Sequence, residues 1–106
     1  MLDAKFTTVI ATPPFPEYTS GHSVQSAAAV DILISALGDT IPFIDSTQTD
    51  IGQAPRKFAS FSAALSEVAA SRVYAGVHYF PAVQEGLTQG RCIARRVRTL
   101  ITRRTQ

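Results

Sequence analysis

The chain has 106 residues, enough for at most one domain with a modest core, because a chain this short hides only roughly 60–70% of the surface its unfolded form exposes. A hydrophobic content of 45% with 17% charged residues excludes a disordered or collagen-like chain, and a formal net charge of +2 selects neither nucleic acid nor an anionic membrane surface. One cysteine, Cys92, excludes an internal disulfide and reads as a buried reduced thiol.

The start, Met1-Leu2-Asp3-Ala4-Lys5-Phe6, lacks the basic and apolar regions of a signal peptide, which sets the expectation of a cytoplasmic protein. From Met1 to about Thr19 there is no clear period. The cluster Pro13-Pro14-Phe15-Pro16 enforces an extended, non-helical path, a loop with an aromatic anchor. Ser20 then has the character of an N-cap, and Val24, Ala27, Ala28, Leu33, Ile34 and Leu37 recur near one helical face, so a first helix is predicted from Gly21 until Gly38 stops it. This is also the longest apolar run, but Gln25, Ser26, Asp31 and Ser35 interrupt it, and it falls short of the ~20 residues of a membrane span. A soluble protein is expected.

Gly38 to Pro55 is rich in Asp, Thr, Ser, Gly and Pro, with apolar islands at Ile41 to Ile44 and at Ile51, and reads as one long loop. Phe58, Phe61, Leu65 and Val68 predict a second helix from about Arg56 to Ala70, with Arg72 at its end. Pro81 is expected to break the chain after His78. A third helix follows from about Val83 to Arg103, its apolar stripe made by Ile93, Val97, Leu100 and Ile101. Six arginines fall between Arg91 and Arg104. The stripe explains their spacing as a solvated helix face, without a nucleic-acid partner. No repeat, low-complexity segment or β-alternation stands out, so the expected fold class is all-α.

Two stretches carry chemistry. Ser71-Arg72-Val73-Tyr74-Ala75-Gly76-Val77-His78 places a fixed cation and an imidazole in apolar surroundings, and a guanidinium there requires either a carboxylate or a bound oxyanion as partner. The other histidine, His22, lies in Pro16-Glu17-Tyr18-Thr19-Ser20-Gly21-His22-Ser23, at a helix start, where free backbone N–H groups and the helix dipole favour an anion. Ser20, Gly21, His22, Arg72 and His78 together are groups suited to a tetrahedral oxyanion. The guanidinium neutralises equatorial oxygens, while the Ser20 hydroxyl and Gly21 N–H add donors. One imidazole can attack phosphorus or bind a metal oxide axially, and the other can protonate the departing oxygen.

These residues resemble the superfamily of type 2 phosphatidic acid phosphatases and vanadium-dependent haloperoxidases. Ser20-Gly21-His22 is similar to its Ser-Gly-His motif, and Ser71-Arg72, five residues, then His78 is similar to its Ser-Arg-x5-His motif, within a similarity running from roughly Thr12 to Arg98 and including Gly86 and Gly90. The resemblance implies a helical bundle, His78 as vanadate ligand or phosphoryl-accepting nucleophile, His22 as acid/base, and Ser20, Gly21 and Arg72 as oxyanion holders. Vanadate is the implied cofactor, or phosphate in the phosphatase reading. The run from Thr12 to Tyr18 resembles the soluble haloperoxidase-like branch.

Two departures are visible. Nothing before Thr12 matches the family's earlier signature of a lysine and an Arg-Pro pair, and the family's ring-orienting aspartate four residues after the second histidine is here Ala82, with Glu85 a remote substitute. The chain therefore resembles the C-terminal part of a larger helical bundle. Two functions follow as expectations: peroxide-dependent halide oxidation, with phosphomonoester hydrolysis through a phosphohistidine as the alternative, or a non-catalytic fragment that needs a partner. The expected partners are a small-molecule substrate or oxyanion and either a second copy or a complementing chain.

Overall fold

Capping serines start two of the three α-helices among the described residues. In the computed structural model, which describes residues 5–8 and 11–100, the Ser20 Oγ accepts the Ser23 N–H and opens α1, Gly21–Leu37. Gly38, at φ 82°, closes it by donating its N–H to the Ile34 carbonyl at 2.8 Å. Both ends lie where the sequence puts them.

The expected loop is not without strands. Phe43–Asp45 (β1) pairs antiparallel with Arg56–Phe58 (β2), Phe43 opposite Phe58, and a short 3-10 turn, Thr49–Ile51, lies between them. The ring of Phe43 lies 5.3 Å from that of Phe58 and 5.4 Å from that of Phe61, centroid to centroid. Phe58, which shares a helical spacing with Phe61, is thus drawn into a strand by a ring on the facing chain. The second helix starts at Phe61, not Arg56. Ser60 caps it with its Oγ on Ala63 N–H at 3.1 Å, and the Asp39 carboxylate accepts Ser62 N–H at 2.9 Å. This helix, α2, runs Phe61–Tyr74, so Arg72 sits inside its last turn instead of following it.

Pro81 begins a helix where a break is expected. The third helix, α3, spans Phe80–Arg98 with the proline in its first turn, where a missing N–H leaves no bond unmade. Thr99 and Leu100 are no longer helical, and the expected extension to Arg103, with Ile101, lies outside the described residues.

The larger correction concerns which face of α3 is buried. Ala82, Val83, Gly86, Gly90 and Ala94 are buried, while Ile93, Val97 and Leu100 face outward, 43%, 43% and 64% exposed. Small residues at four-residue steps let α3 lie directly on α1. A Cβ on Gly86 would come within 2.7 Å of the Ser20 carbonyl oxygen, and one on Gly90 within 2.7 Å of the Ala27 Cβ. Cys92, two positions from Gly90 and so on the opposite side of the helix, is exposed, contrary to the buried thiol expected. Arg98 fastens the far end of the pair, its Nη1 2.5 Å from the Asp31 carboxylate. Arg91, Arg95 and Arg96 are exposed, as a solvated face requires.

The proline-rich loop crosses the turn between α2 and α3. The Thr12 hydroxyl donates to the Ala75 carbonyl at 2.7 Å, Ser20 N–H to the Ala82 carbonyl at 3.1 Å, and the Thr19 hydroxyl to Gln89 Oε1 at 3.0 Å. Phe15 does not anchor this loop in the core; its ring is half-exposed and lies against His22. The described residues are mostly helical, and no helix among them is long and apolar enough to cross a membrane.

Candidate oxyanion site

Gly21, His22 and His78 line a single cavity of about 500 Å³, together with Phe15, Pro16, Tyr18, Thr19 and Gln25. Two of them stand at the start of α1 because Ser20 caps that helix, and the third stands in the turn that joins α2 to α3. In that turn Gly76 adopts φ 64°, a conformation glycine takes without strain, and the N–H groups of Val77 and His78 both approach the Arg72 carbonyl at 3.4 Å. The arginine and the histidine of the second signature are therefore linked through one carbonyl.

His78 is buried, 5% exposed, and its Nδ1 hydrogen-bonds the backbone carbonyl of Glu17. A carbonyl only accepts, so Nδ1 carries the proton and the lone pair of the neutral ring is on Nε2. Nε2 is thereby the nitrogen able to bind an electrophilic centre. The next residue, Tyr79, donates its N–H to the Glu17 carboxylate at 2.9 Å.

Ser20 is fully buried and its Oγ accepts from both the N–H and the hydroxyl of Ser23, the latter at 2.8 Å. Two accepted bonds leave its own hydroxyl hydrogen free to donate. Gly21 opens to the cavity, and a Cβ there would meet nothing within 4 Å. Ser71, by contrast, has its hydroxyl on the Val68 carbonyl of its own helix at 2.7 Å.

Arg72 does not line the cavity, but two of its guanidinium nitrogens, Nε and Nη2, are buried without a hydrogen-bond partner among the described residues. Neither of the described ion pairs includes it. A half-buried guanidinium with two nitrogens in that state favours an anion. Its charge reaches His22, whose pKa is held below the ordinary 6.5 first by desolvation, then by Arg72, then by His78. His22 also packs on Phe15, ring centroids 5.9 Å apart.

The five residues singled out in the sequence thus gather at the α1 start and the α2–α3 turn. Three share the cavity, Ser20 lies beneath it, and Arg72 acts on it through its field. Sequence reasoning passed over Glu17, which holds the turn from outside, and Gln25, one helical turn beyond Gly21. The only signal for Gln25 is its i+4 spacing, and Glu17 has none beyond its place in the proline-rich run. The donor set fits an oxyanion such as vanadate: two buried guanidinium nitrogens with no partner among the described residues, a helix start, a free hydroxyl hydrogen, and a histidine with its Nε2 lone pair available.

Comparison with known proteins identifies the family of the fold. The VCPO second helical-bundle domain matches residues 1–106. The crystal structure of the first bacterial vanadium-dependent iodoperoxidase superposes with a TM-score of 0.83 at 46% sequence identity, covering 89% of this chain and 23% of that one. The chain spans about a quarter of that protein's length. No curated protein matches.

Proposed function

The chain belongs to the vanadium-dependent haloperoxidase family, within its second helical-bundle domain, and from that premise we propose that it forms the oxyanion-holding part of an active site for peroxide-dependent halide oxidation. The observation that carries this reading is the pair of buried, unpartnered guanidinium nitrogens of Arg72 beside a histidine cavity. Without an anion they are a cost to the fold; with one they become its strongest contact.

His78 would hold vanadate through Nε2, while Arg72, the Gly21 N–H and the Ser20 hydroxyl would hold its oxygens. Vanadate, when bound, supplies the Lewis-acid activation of peroxide that halide oxidation requires. His22 is the acid/base. With its pKa held low it is largely neutral near neutral pH, so it can accept a proton from an incoming hydroxylic group and later return it. Phe15 and Tyr18 give the cavity wall an aromatic surface. The solved relative is an iodoperoxidase, which makes iodide the first halide to test. The haloperoxidase reading is preferred to phosphomonoester hydrolysis because the matching family model and the similar solved structure are both of the haloperoxidase kind.

Calorimetric titration of the chain with orthovanadate tests the site directly. The wild type is expected to give a binding heat that weakens with salt, and Arg72→Ala to lose it. Equal heats in the two proteins would remove Arg72, and with it this placement of the anion.

A further inference from the structure

Resting on the reading just given, we infer that Glu17 is the positioning residue of the site: its carboxylate and its own backbone carbonyl together clamp the turn that carries His78, and so hold the Nε2 lone pair in place. The first half of the turn is well held, Ala75 N–H on the Ser71 carbonyl at 3.0 Å and Gly76 N–H on the Val73 carbonyl at 2.9 Å, but it loosens at the histidine: the Val77 N–H and His78 N–H bonds to the Arg72 carbonyl are both long at 3.4 Å, and Tyr79, the N-cap of α3, brings no side-chain cap bond. Glu17 meets two successive residues of the turn. Its carbonyl accepts the His78 ring proton, and its Oε1 accepts Tyr79 N–H at 2.9 Å.

The two contacts depend on each other. A carbonyl in an unanchored loop would drift with the loop, and the ring bound to it would lose its orientation. Anchoring the Glu17 carboxylate at the start of α3, where the helix dipole favours an anion, fixes the residue's backbone and therefore the acceptor that selects the ring tautomer. Nothing on α3 does this work in its place. Ala82, where a ring-orienting carboxylate would be sought, is buried and apolar, and Glu85 is exposed. Glu17 acts only through His78: it does not line the cavity shared by Gly21, His22 and His78, and borders instead a second one, of about 400 Å³, that His78 lines as well, with Phe6, Val73 and Phe80.

Nitrogen-15 NMR of the histidine rings reads the tautomer with no ligand present. In the wild type His78 is expected to show a protonated Nδ1 and an unprotonated Nε2. Glu17→Gln keeps an oxygen for Tyr79 N–H and should keep this signature, while Glu17→Ala should shift His78 toward a mixture of tautomers and leave the His22 signals in place. Identical His78 shifts in the wild type and Glu17→Ala would overturn the inference, as would an equal disturbance of both histidines in Glu17→Ala. If Glu17→Ala does not fold, Glu17→Asp, whose carboxylate is one methylene short, supplies the contrast with Glu17→Gln. A vanadium-51 NMR titration is the second readout, with Glu17→Ala expected to bind orthovanadate about 10-fold or more weakly and Glu17→Gln to bind as the wild type does. Equal vanadate affinity in wild type and Glu17→Ala would also overturn the inference. A wild type that binds no vanadate would reject the functional reading, while the tautomer comparison would still judge Glu17.

Discussion

An imidazole placed near a buried cation keeps its neutral form to lower pH than it would in water. For His22 the causes are desolvation, then Arg72, then His78, so Arg72→Ala is expected to raise the His22 pKa toward 6.5, followed by proton NMR of the ring across the titration. The same shift makes stability depend on pH. The folded pKa lies below the unfolded value of 6.5, so as pH falls the unfolded chain takes up the proton first; stability present above that value is lost as pH falls through the folded pKa. Thermal melts from about pH 7.5 down to about pH 5 should therefore fall more steeply for the wild type than for His22→Gln. His22 is largely exposed, which keeps the effect small. Parallel falls in the two proteins would contradict the shift.

At the scale of elements, the α1–α3 contact sets the site, because Ser20 at one helix start hydrogen-bonds the Ala82 carbonyl near the other. That contact has no room for another atom. Gly90→Ala would drive a methyl against the Val24 carbonyl and Ala27, and overpacking of this kind costs about 1–3 kcal/mol. Ala82→Asp would bury a carboxylate at a position only 1% exposed, so it is expected to destabilise by more than the Gly90→Ala change and to bring no haloperoxidase activity. Urea denaturation with an iodide-oxidation assay checks both. An Ala82→Asp chain with unchanged stability and new activity would mean that the missing ring-orienting carboxylate, and not Glu17, limits the site.

The whole molecule is open for its size. It exposes 8281 Å², where a compact monomer of this length would expose roughly 5,800 Å². Its radius of gyration of 16.5 Å likewise exceeds the roughly 13 Å of a compact domain. The excess area is about three times what one side of a standard interface buries. Part of it is the outward apolar face of α3, where Ile93, Val97 and Leu100 border a groove of about 570 Å³. When only these 106 residues are present, such faces are expected to meet one another, giving self-association at micromolar concentration. Val97→Glu should weaken it. Sedimentation showing a monomer for the wild type would mean that the chain tolerates the exposed face unaided.

The two signature stretches and both ends of α1 were legible in the residues alone. These features are local: a serine caps its own helix within three residues, a glycine closes it within four, and the character of Arg72 and His78 travels with their side chains. The tertiary structure decided what depends on distant backbone. It turned Phe58 from a helical position into a strand by supplying Phe43, and it buried the Ala and Gly face of α3 in preference to the Ile and Val stripe, because close helix contact rewards small residues where two backbones cross. It also left two guanidinium nitrogens of Arg72, Nε and Nη2, without a partner among the described residues and brought Glu17 to His78 across 61 positions of chain, since hydrogen-bond partners so far apart in sequence are chosen by the path of the loop and not by any local pattern.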